Sequence, residues 1–412
     1  MDMRTKVEPS SNFITRRGFA KRLSLAAGLA TTLKGEILVA AQLNGSDKAK
    51  WRAAIIGHTG KGNYGHGLDL VFDDRPNIEV VAVADPDAAG REGAAKRSRA
   101  TRQYADYREM LETEKPHLVS VAPRATVEHH AMAMAAFSIG AHLYMEKPLA
   151  RTLAEADELI AFADKKRLRI AVAHQMRLAP SILNLKQSIG EGLIGDLVQI
   201  RAYGKQDNRA GGEDMLVLGI HLFDLIRYFA GNPVWCSARV LQSGREIAHH
   251  NARAASEEIG PVAGDEIEAQ FAFENGIQVS FTSRAKLRQN VGHWGLELIG
   301  SKTTARVLAD VYPRIFVMKS GQWTDAGRTD EWQPLENDPG LRASVEDRGF
   351  VPANRRVVDD WLEAIDKARE PICNGRAAMK ALEMVMAVYQ AALTRGRVEF
   401  PLATRQHPLS AE

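Results

Sequence analysis

The sequence predicts an α/β protein in two parts, an N-terminal doubly wound parallel sheet followed by a C-terminal α/β unit on an open, mostly antiparallel sheet. Three observations carry that expectation. Short apolar runs alternate with helical segments through the first third of the chain, the pattern of a parallel sheet with crossover helices. The first run breaks into a glycine-rich turn, and beyond Arg177 amphipathic helices mix with segments in which polar and apolar residues alternate.

Taken in order, Ala53 to Ile56 are small or β-branched and read as a buried strand. Gly57, Gly60, Gly62 and Gly65 follow, and the chain then resumes as a helix. From Gly60 the string GxGxxG is intact, whereas from Gly57 the spacing is stretched. A turn of this kind at a helix start faces backbone amides and a helix dipole toward an anion, and a diphosphate fits. The run Ile78 to Asp87 is a second strand. It brings Asp85 about 20 residues past the glycines, where a carboxylate bonds the ribose hydroxyls of a dinucleotide. That charge would repel a 2′-phosphate and no arginine directly follows, so NAD is expected rather than NADP. A glycine turn and a strand-end aspartate with no ligand is the plainer alternative.

Ala88 to Ala100 is helical, and another helix begins at Tyr104 to Leu111. His117 to Ala122 is a third buried strand ended by Pro123, and His129 to Ile139 is an Ala- and Met-rich helix with Gly140 as its C-cap, its apolar stripe being packing. The fourth strand, Ala141 to Met145, delivers Glu146-Lys147-Pro148 at its carboxyl end, where such sheets hold their ligands. Further on, Asp265 to Ser283 alternates and turns at Glu274-Asn275-Gly276. Leu296 to Ile299 and Thr304 to Leu308 are strand-like, and Arg355 to Arg369 and Ala377 to Leu393 are amphipathic helices.

Composition narrows the function. With 412 residues, 45% hydrophobic and 25% charged, the chain is long enough for two domains and ordinary for a globular protein. The net charge of +3 sits in the leader: residues 1–41 hold seven Lys or Arg against three Asp or Glu, leaving the remainder at −1. No basic stripe with interleaved aromatics suggests nucleic acid. Cys236 and Cys373 are too few for a disulfide scaffold and read as buried thiols. The pair His249-His250 lacks metal-ligand spacing, so no metal is expected.

Thr15-Arg16-Arg17-Gly18-Phe19-Ala20-Lys21, the modest apolar run after it and the small residues Val39-Ala40-Ala41 resemble a twin-arginine export signal. The run is too short to span a membrane. A basic amphipathic helix is the alternative reading. The expected location is periplasmic. The expected division is a signal at 1–41, a nucleotide domain at 42–175, a substrate and oligomerisation domain at 176–400 and a tail at 401–412.

At Glu146-Lys147-Pro148 the chain resembles the Gfo/Idh/MocA family of oxidoreductases. The likeness runs from Trp51 to Pro401 through Ala84-Asp85-Pro86, Pro123 with His129, His174-Gln175-Met176-Arg177 and Gly219-Ile220-His221-Leu222-Phe223-Asp224. It implies a Rossmann nicotinamide domain, a second domain covering the nicotinamide, homodimers or homotetramers, and a secondary hydroxyl of a sugar, polyol or glycoside as substrate. It assigns proton chemistry to Lys147 and His221. Gly57, His58, Thr59, Gly60, Gly62, Asp85, Pro123, His129, Glu146, Lys147 and His174 then fall to the cofactor, and Arg177 and Asp224 to the substrate; Lys205, Asp207, Asn208 and Arg209 form a polar, glycine-bounded loop whose composition suits sugar hydroxyls, a solvated loop being the alternative. The family usually has an aspartate four residues before the histidine, where this chain has Val217; Glu213 and Asp214 stand nearby as substitutes.

The chemistry agrees with that assignment. Hydride transfer from a carbinol needs a base within hydrogen-bond reach of the hydroxyl. A partly desolvated Lys147 amine would have its pKa lowered toward that use, and His221, on a helix expected over Leu216 to Phe229, could hold the hydroxyl or relay its proton. His66 is a helix-start residue with or without ligand contact. Three functions are compatible: an NAD-dependent oxidoreductase with tightly held cofactor, a redox-neutral NAD-using glycosidase or lyase working through a transient keto-sugar, and a binding module without turnover.

Overall fold

The computed structural model describes residues 51–285, 294–319 and 332–410; the expected leader lies outside them. β1 (Trp51–Ile56), β2 (Ile78–Ala84), β3 (Arg102–Tyr104), β4 (Leu118–Val121), β5 (His142–Met145) and β6 (Ile170–Val172) form one parallel sheet in the order β3-β2-β1-β4-β5-β6. The order reverses beside β1, which opens a crevice past the strand ends. α1 (Ala88–Ser98), α2 (Tyr107–Glu114), α3 (His129–Ser138) and α4 (Leu153–Lys166) connect the strands. β1 is apolar along its inner length because both faces are covered. Ala54 and Ile56 face Met132 and Phe137, while Ala53 and Ile55 face Leu68 and Trp361.

Two local expectations are corrected. No α-helix follows the glycine turn: the chain makes successive turns and then a three-residue 3-10 helix, Leu68–Leu70. Gly60, Gly62, Gly65 and Gly67 all have φ between +59° and +90°, which a right-handed helix cannot contain. The segment at Tyr104 ends an edge strand, and the helix starts at Tyr107, where the Asp106 carboxylate accepts from the Arg108 amide at 2.8 Å.

The second unit runs through α5 (Pro180–Gly190), β7 (Leu197–Tyr203) and a short α6 (Gly212–Asp214). A π-helical turn, Met215–Gly219, then leads into α7 (Ile220–Ala230). β8 (Pro233–Gln242), β9 (Arg245–Glu246), β10 (Arg253–Ala254), β11 (Pro261–Val262), β12 (Glu266–Phe273) and β13 (Gln278–Arg284) follow, then β14 (Gly295–Gly300), β15 (Thr304–Leu308), β16 (Arg314–Met318) and β17 (Trp332–Pro334). The chain closes with α8 (Phe350–Asp366), α9 (Gly375–Thr394) and β18 (Val398–Glu399). The large sheet runs β17-β16-β15-β14-β7-β13-β12-β8-β18 with β9 on β8, antiparallel except between β7 and β13. α7 packs on it through Phe223, whose ring meets Phe271 and Phe281 at 5.7 and 4.9 Å.

Within the expected 176–400 unit, α8 returns to the first sheet, where Val357, Val358 and Trp361 complete its core. Residues 401–410 of the expected tail are packed as well. Leu402 and Leu409 are buried, and Arg405 bridges Asp157 of α4 and Glu383 of α9 at 2.6 and 2.8 Å. Cys236 and Cys373 are free and buried.

Candidate active site

The glycine turn is folded onto itself. The Thr59 amide and hydroxyl donate to the Asp85 carboxylate at 3.0 and 2.8 Å, and the Asp87 amide adds a third donor at 2.9 Å. Asp85 is completely buried, and its carboxylate already accepts from three donors of its own chain. Other turn amides are also engaged: Gly57 donates to the Ala84 carbonyl, His58 to the Asn63 carbonyl and Gly60 to the Asn63 side chain. His58 pairs through its ring with Glu128 at 2.5 Å. Gly57, His58 and Asp85 line one cavity with Tyr107, and Gly60 and Gly62 line another with Arg124.

Pro123 and His129 are joined to each other by a hydrogen bond within the frame. His129 is fully buried between the carbonyls of Pro123 and Pro148, at 2.7 and 2.9 Å, and so ties the ends of β4 and β5 together.

A third cavity opens beyond β5, lined by His66, Lys147, Met176, Val217, His221 and Trp294. β5 delivers Glu146 and Lys147 there because its apolar run ends at Met145. Glu146 is fully buried and accepts from the His66 amide at 3.1 Å, the His66 ring at 2.6 Å and the Lys147 amide at 3.0 Å. Burial opposes its charge, but the His66 hydrogen bond and the positive neighbours outweigh that and hold the carboxyl at about 2. Lys147 is 4% exposed, and burial pushes its amine below the usual lysine range.

The Lys147 ammonium donates to the main-chain carbonyl of Val217 at 2.9 Å. Val217 lies in the π-helical turn, where the helical hydrogen-bond ladder is locally widened. The position that lacks an aspartate thus supplies a carbonyl instead. Neither proposed substitute reaches the histidine: Asp214 accepts from the Lys205 and Gln206 amides and from Ser283, and Glu213 pairs with Arg253 at 3.0 Å.

His221 meets His174 edge to face at 5.3 Å. Both ring nitrogens of His174, Nδ1 of His221 and Nε of Arg124 are buried without a hydrogen-bond partner among the described residues. Burial pushes both imidazoles down, His221 well below its ordinary value, with the Lys147 charge adding to it. Buried polar atoms without partners are costly unless a ligand completes them. A polar ligand in this cavity would meet His221 and Arg124, which line it, and the donor set fits a nicotinamide and a sugar hydroxyl.

Arg177 and Asp224 do not face the cavity. They form a buried ion pair, Arg177 Nε to Asp224 Oδ2 at 2.9 Å and Nη2 to Oδ1 at 2.5 Å, joining the turn after His174 to the helix of His221. Their expected role toward substrate is corrected to one of positioning. Lys205 does line the cavity, with its ammonium 5.8 Å from the Trp294 ring centre and 3.8 Å from Asp207. Arg209, of the polar loop singled out with Lys205, lines the cavity too, whereas sequence reasoning missed Arg124, Glu257 and Trp294. Arg124 had a signal, since it follows a strand end; the others come from loops joined only in space. Glu257 sits between Arg209 at 3.2 Å and Arg124 at 3.7 Å, while Glu258 reaches Lys61 of the glycine turn at 2.6 Å. Among the described residues, no group of three or more His, Cys, Asp or Glu is placed to hold a metal, and no helix is long and apolar enough to cross a membrane.

Residues 51–174 match the family described as an oxidoreductase family with an NAD-binding Rossmann fold, and residues 186–400 match its C-terminal alpha/beta domain. The chain is 29% identical over 241 residues to levoglucosan dehydrogenase of Pseudarthrobacter phenanthrenivorans, covering 52% of this chain and 61% of that one. It is 24% identical over 369 residues to D-apiose dehydrogenase of Paraburkholderia graminis, covering 87% and 92%. A solved levoglucosan dehydrogenase in complex with NADH and levoglucosan superposes with a TM-score of 0.67 at 19% identity, over 85% of this chain and 99% of that one, a likeness of fold.

Proposed function

The chain belongs to the Gfo/Idh/MocA oxidoreductase family, with its NAD-binding Rossmann fold, and on that premise we propose that it oxidises a secondary hydroxyl of a sugar, polyol or glycoside. The observation that carries the reading is one cavity past the strand ends of the nucleotide sheet in which the buried amine of Lys147 and the imidazole of His221, its Nδ1 without a partner among the described residues, converge. The relatives named for dehydrogenation of levoglucosan and D-apiose support the substrate class.

NAD, when bound, supplies the hydride acceptor. Gly57, His58 and the neighbourhood of Asp85 would hold its adenosine half, and Glu146, Lys147 and His174 would flank the nicotinamide. Burial favours the neutral amine of Lys147, and its hydrogen bond to the Val217 carbonyl aims the head group across the cavity. The amine takes the substrate hydroxyl proton as the carbonyl forms. His221 stays neutral and holds the same oxygen by hydrogen bond. Lys205, Arg209 and Trp294 suit the remaining hydroxyls and an apolar sugar face.

The twin arginines Arg16-Arg17 support a further step, that the protein is exported folded to the periplasm with its nucleotide aboard. The test uses protein from a periplasmic fraction. Nucleotide absorbance is recorded, then sugars and aryl glycosides are added with and without NAD. Appearance of a keto-sugar with reduced nucleotide, or interconversion of two sugars, supports the reading; release of aglycone without net reduction would assign it to redox-neutral elimination instead. Lys147→Met should lower turnover by about 10³-fold while NADH still binds.

A further inference from the structure

We infer that His66, held by the buried Glu146 carboxylate, is a proton-relay residue of this cavity, accepting at Nε2 the proton that Lys147 takes from the substrate and passing it to solvent. The inference rests on the oxidation proposed above. There, the carbinol gives up a hydride, taken by NAD, and a hydroxyl proton, taken by the Lys147 amine. For a second turnover that proton must leave a group only 4% exposed.

The geometry offers His66. Its Nδ1 lies 2.6 Å from Glu146 Oε1, while Glu146 Oε2 accepts from the Lys147 amide, so one carboxylate spans both residues. With that carboxylate ionised, Nδ1 carries the proton and donates, leaving the Nε2 lone pair as acceptor. A proton gained there is charge-balanced by Glu146. The ring is also fixed in place: it lies against Phe350 at 4.6 Å, and its backbone carbonyl accepts from the buried Asn354 side chain at 3.0 Å. Asn354 in turn accepts from Tyr144 and Gln175 at 2.7 and 2.6 Å, so this hub on α8 has no spare movement.

His66 lines the cavity and its side chain remains 26% exposed, giving it a face on each side. His221 lines the same cavity, but neither it nor His174 has a carboxylate bonded to its ring among the described residues. His174 is 2% exposed, and burial keeps both it and His221 neutral, so neither carries a proton outward. The charged or titratable groups facing His66 are Glu146 and Lys147 from the end of β5 and His221 from α7; α8 presents uncharged Phe350 and Asn354. Arg124, Lys205, Arg209, Glu257 and Asp310 complete the charged lining of the same cavity.

The test separates this relay from the proposed function. In full-length protein, long-range nitrogen-proton spectra of labelled histidines should show one ring with the proton fixed on Nδ1 that gains a second proton at Nε2 as pH falls. His66→Gln should remove that signal, and Glu146→Gln should change its tautomer. An Nε2–H tautomer, or a His66 ring that never titrates, overturns the inference whether or not a sugar is found. With a turned-over sugar, His66→Gln should lower kcat about 10²-fold with KM within about threefold and NADH binding intact. Added imidazole should restore about tenfold to His66→Ala, a rescue that a merely structural ring would not permit. Wild-type kcat in His66→Gln would sink the relay and leave the dehydrogenase reading standing.

Discussion

The two ends of the groove past the nucleotide sheet are built on opposite terms. At the β1–β2 end every oxygen of Asp85 is met by its own chain, and the Tyr64 hydroxyl is the one buried side-chain polar atom of the glycine turn left without a partner among the described residues. At the β5 end, four buried ring or guanidinium nitrogens on His174, His221 and Arg124 have no partner among the described residues. Since an unmet buried polar atom costs about 1–3 kcal/mol, the first end stabilises the fold and the second has its stability deferred to a ligand. Chemistry therefore belongs at the β5 end, and the β1–β2 end sets how easily a nucleotide is seated.

The comparison breaks hardest at the ion pair that supports the reactive end. Arg177→Met strands the Asp224 carboxylate with 1% exposure and should cost about 3–5 kcal/mol, read as a fall in the denaturant midpoint. Arg177→Met with Asp224→Leu should recover most of that loss, because no charge is then left unpaired. If the single variant melts like wild type, the pair is not the anchor between the His174 turn and α7.

A second effect sharpens the assignment of the base. Burial lowers the Lys147 pKa, and only the neutral amine accepts a proton, so kcat/KM for oxidation should climb about tenfold per pH unit below that pKa and level off above it. The plateau should arrive below the usual 10.5 of a lysine. Lys147→Arg should keep the positive charge yet show no such limb. A profile flat across the range would move the base elsewhere in the cavity.

What was legible in the sequence divides along the same line. Glu146 and Lys147 could be placed because a buried strand is an apolar run whose end is visible locally, and the sheet class followed from the alternation itself. The partners could not. Thr59 with Asp85, Arg177 with Asp224, His66 with Glu146 and Lys147 with Val217 join residues 26, 47, 80 and 70 positions apart. The last has no side-chain signature at all, since any residue supplies a carbonyl, so the loss of aspartate at 217 read as a missing partner when a main-chain one was present. The helix expected after the glycines failed for a local reason that was visible but underweighted. Gly67 adds a further residue of positive φ to a turn already crowded with them.

The smallest effect tests the closed end. Thr59→Val keeps shape but removes the hydroxyl that donates to Asp85 Oδ2 at 2.8 Å, leaving two amide donors on the carboxylate. Stability should fall by about 1.5 kcal/mol, the order of a hydrogen bond to a charged group. Oδ2 keeps the Thr59 amide but regains one acceptor position for a ribose hydroxyl, so NADH titrated by fluorescence should bind up to about tenfold more tightly, with NADPH unimproved because the carboxylate repels its 2′-phosphate. Weaker binding would mean that the Thr59 hydroxyl itself touches the nucleotide. Unchanged affinity would place the ribose away from Asp85, and the closed end would then be a strut of the fold with no part in choosing the cofactor.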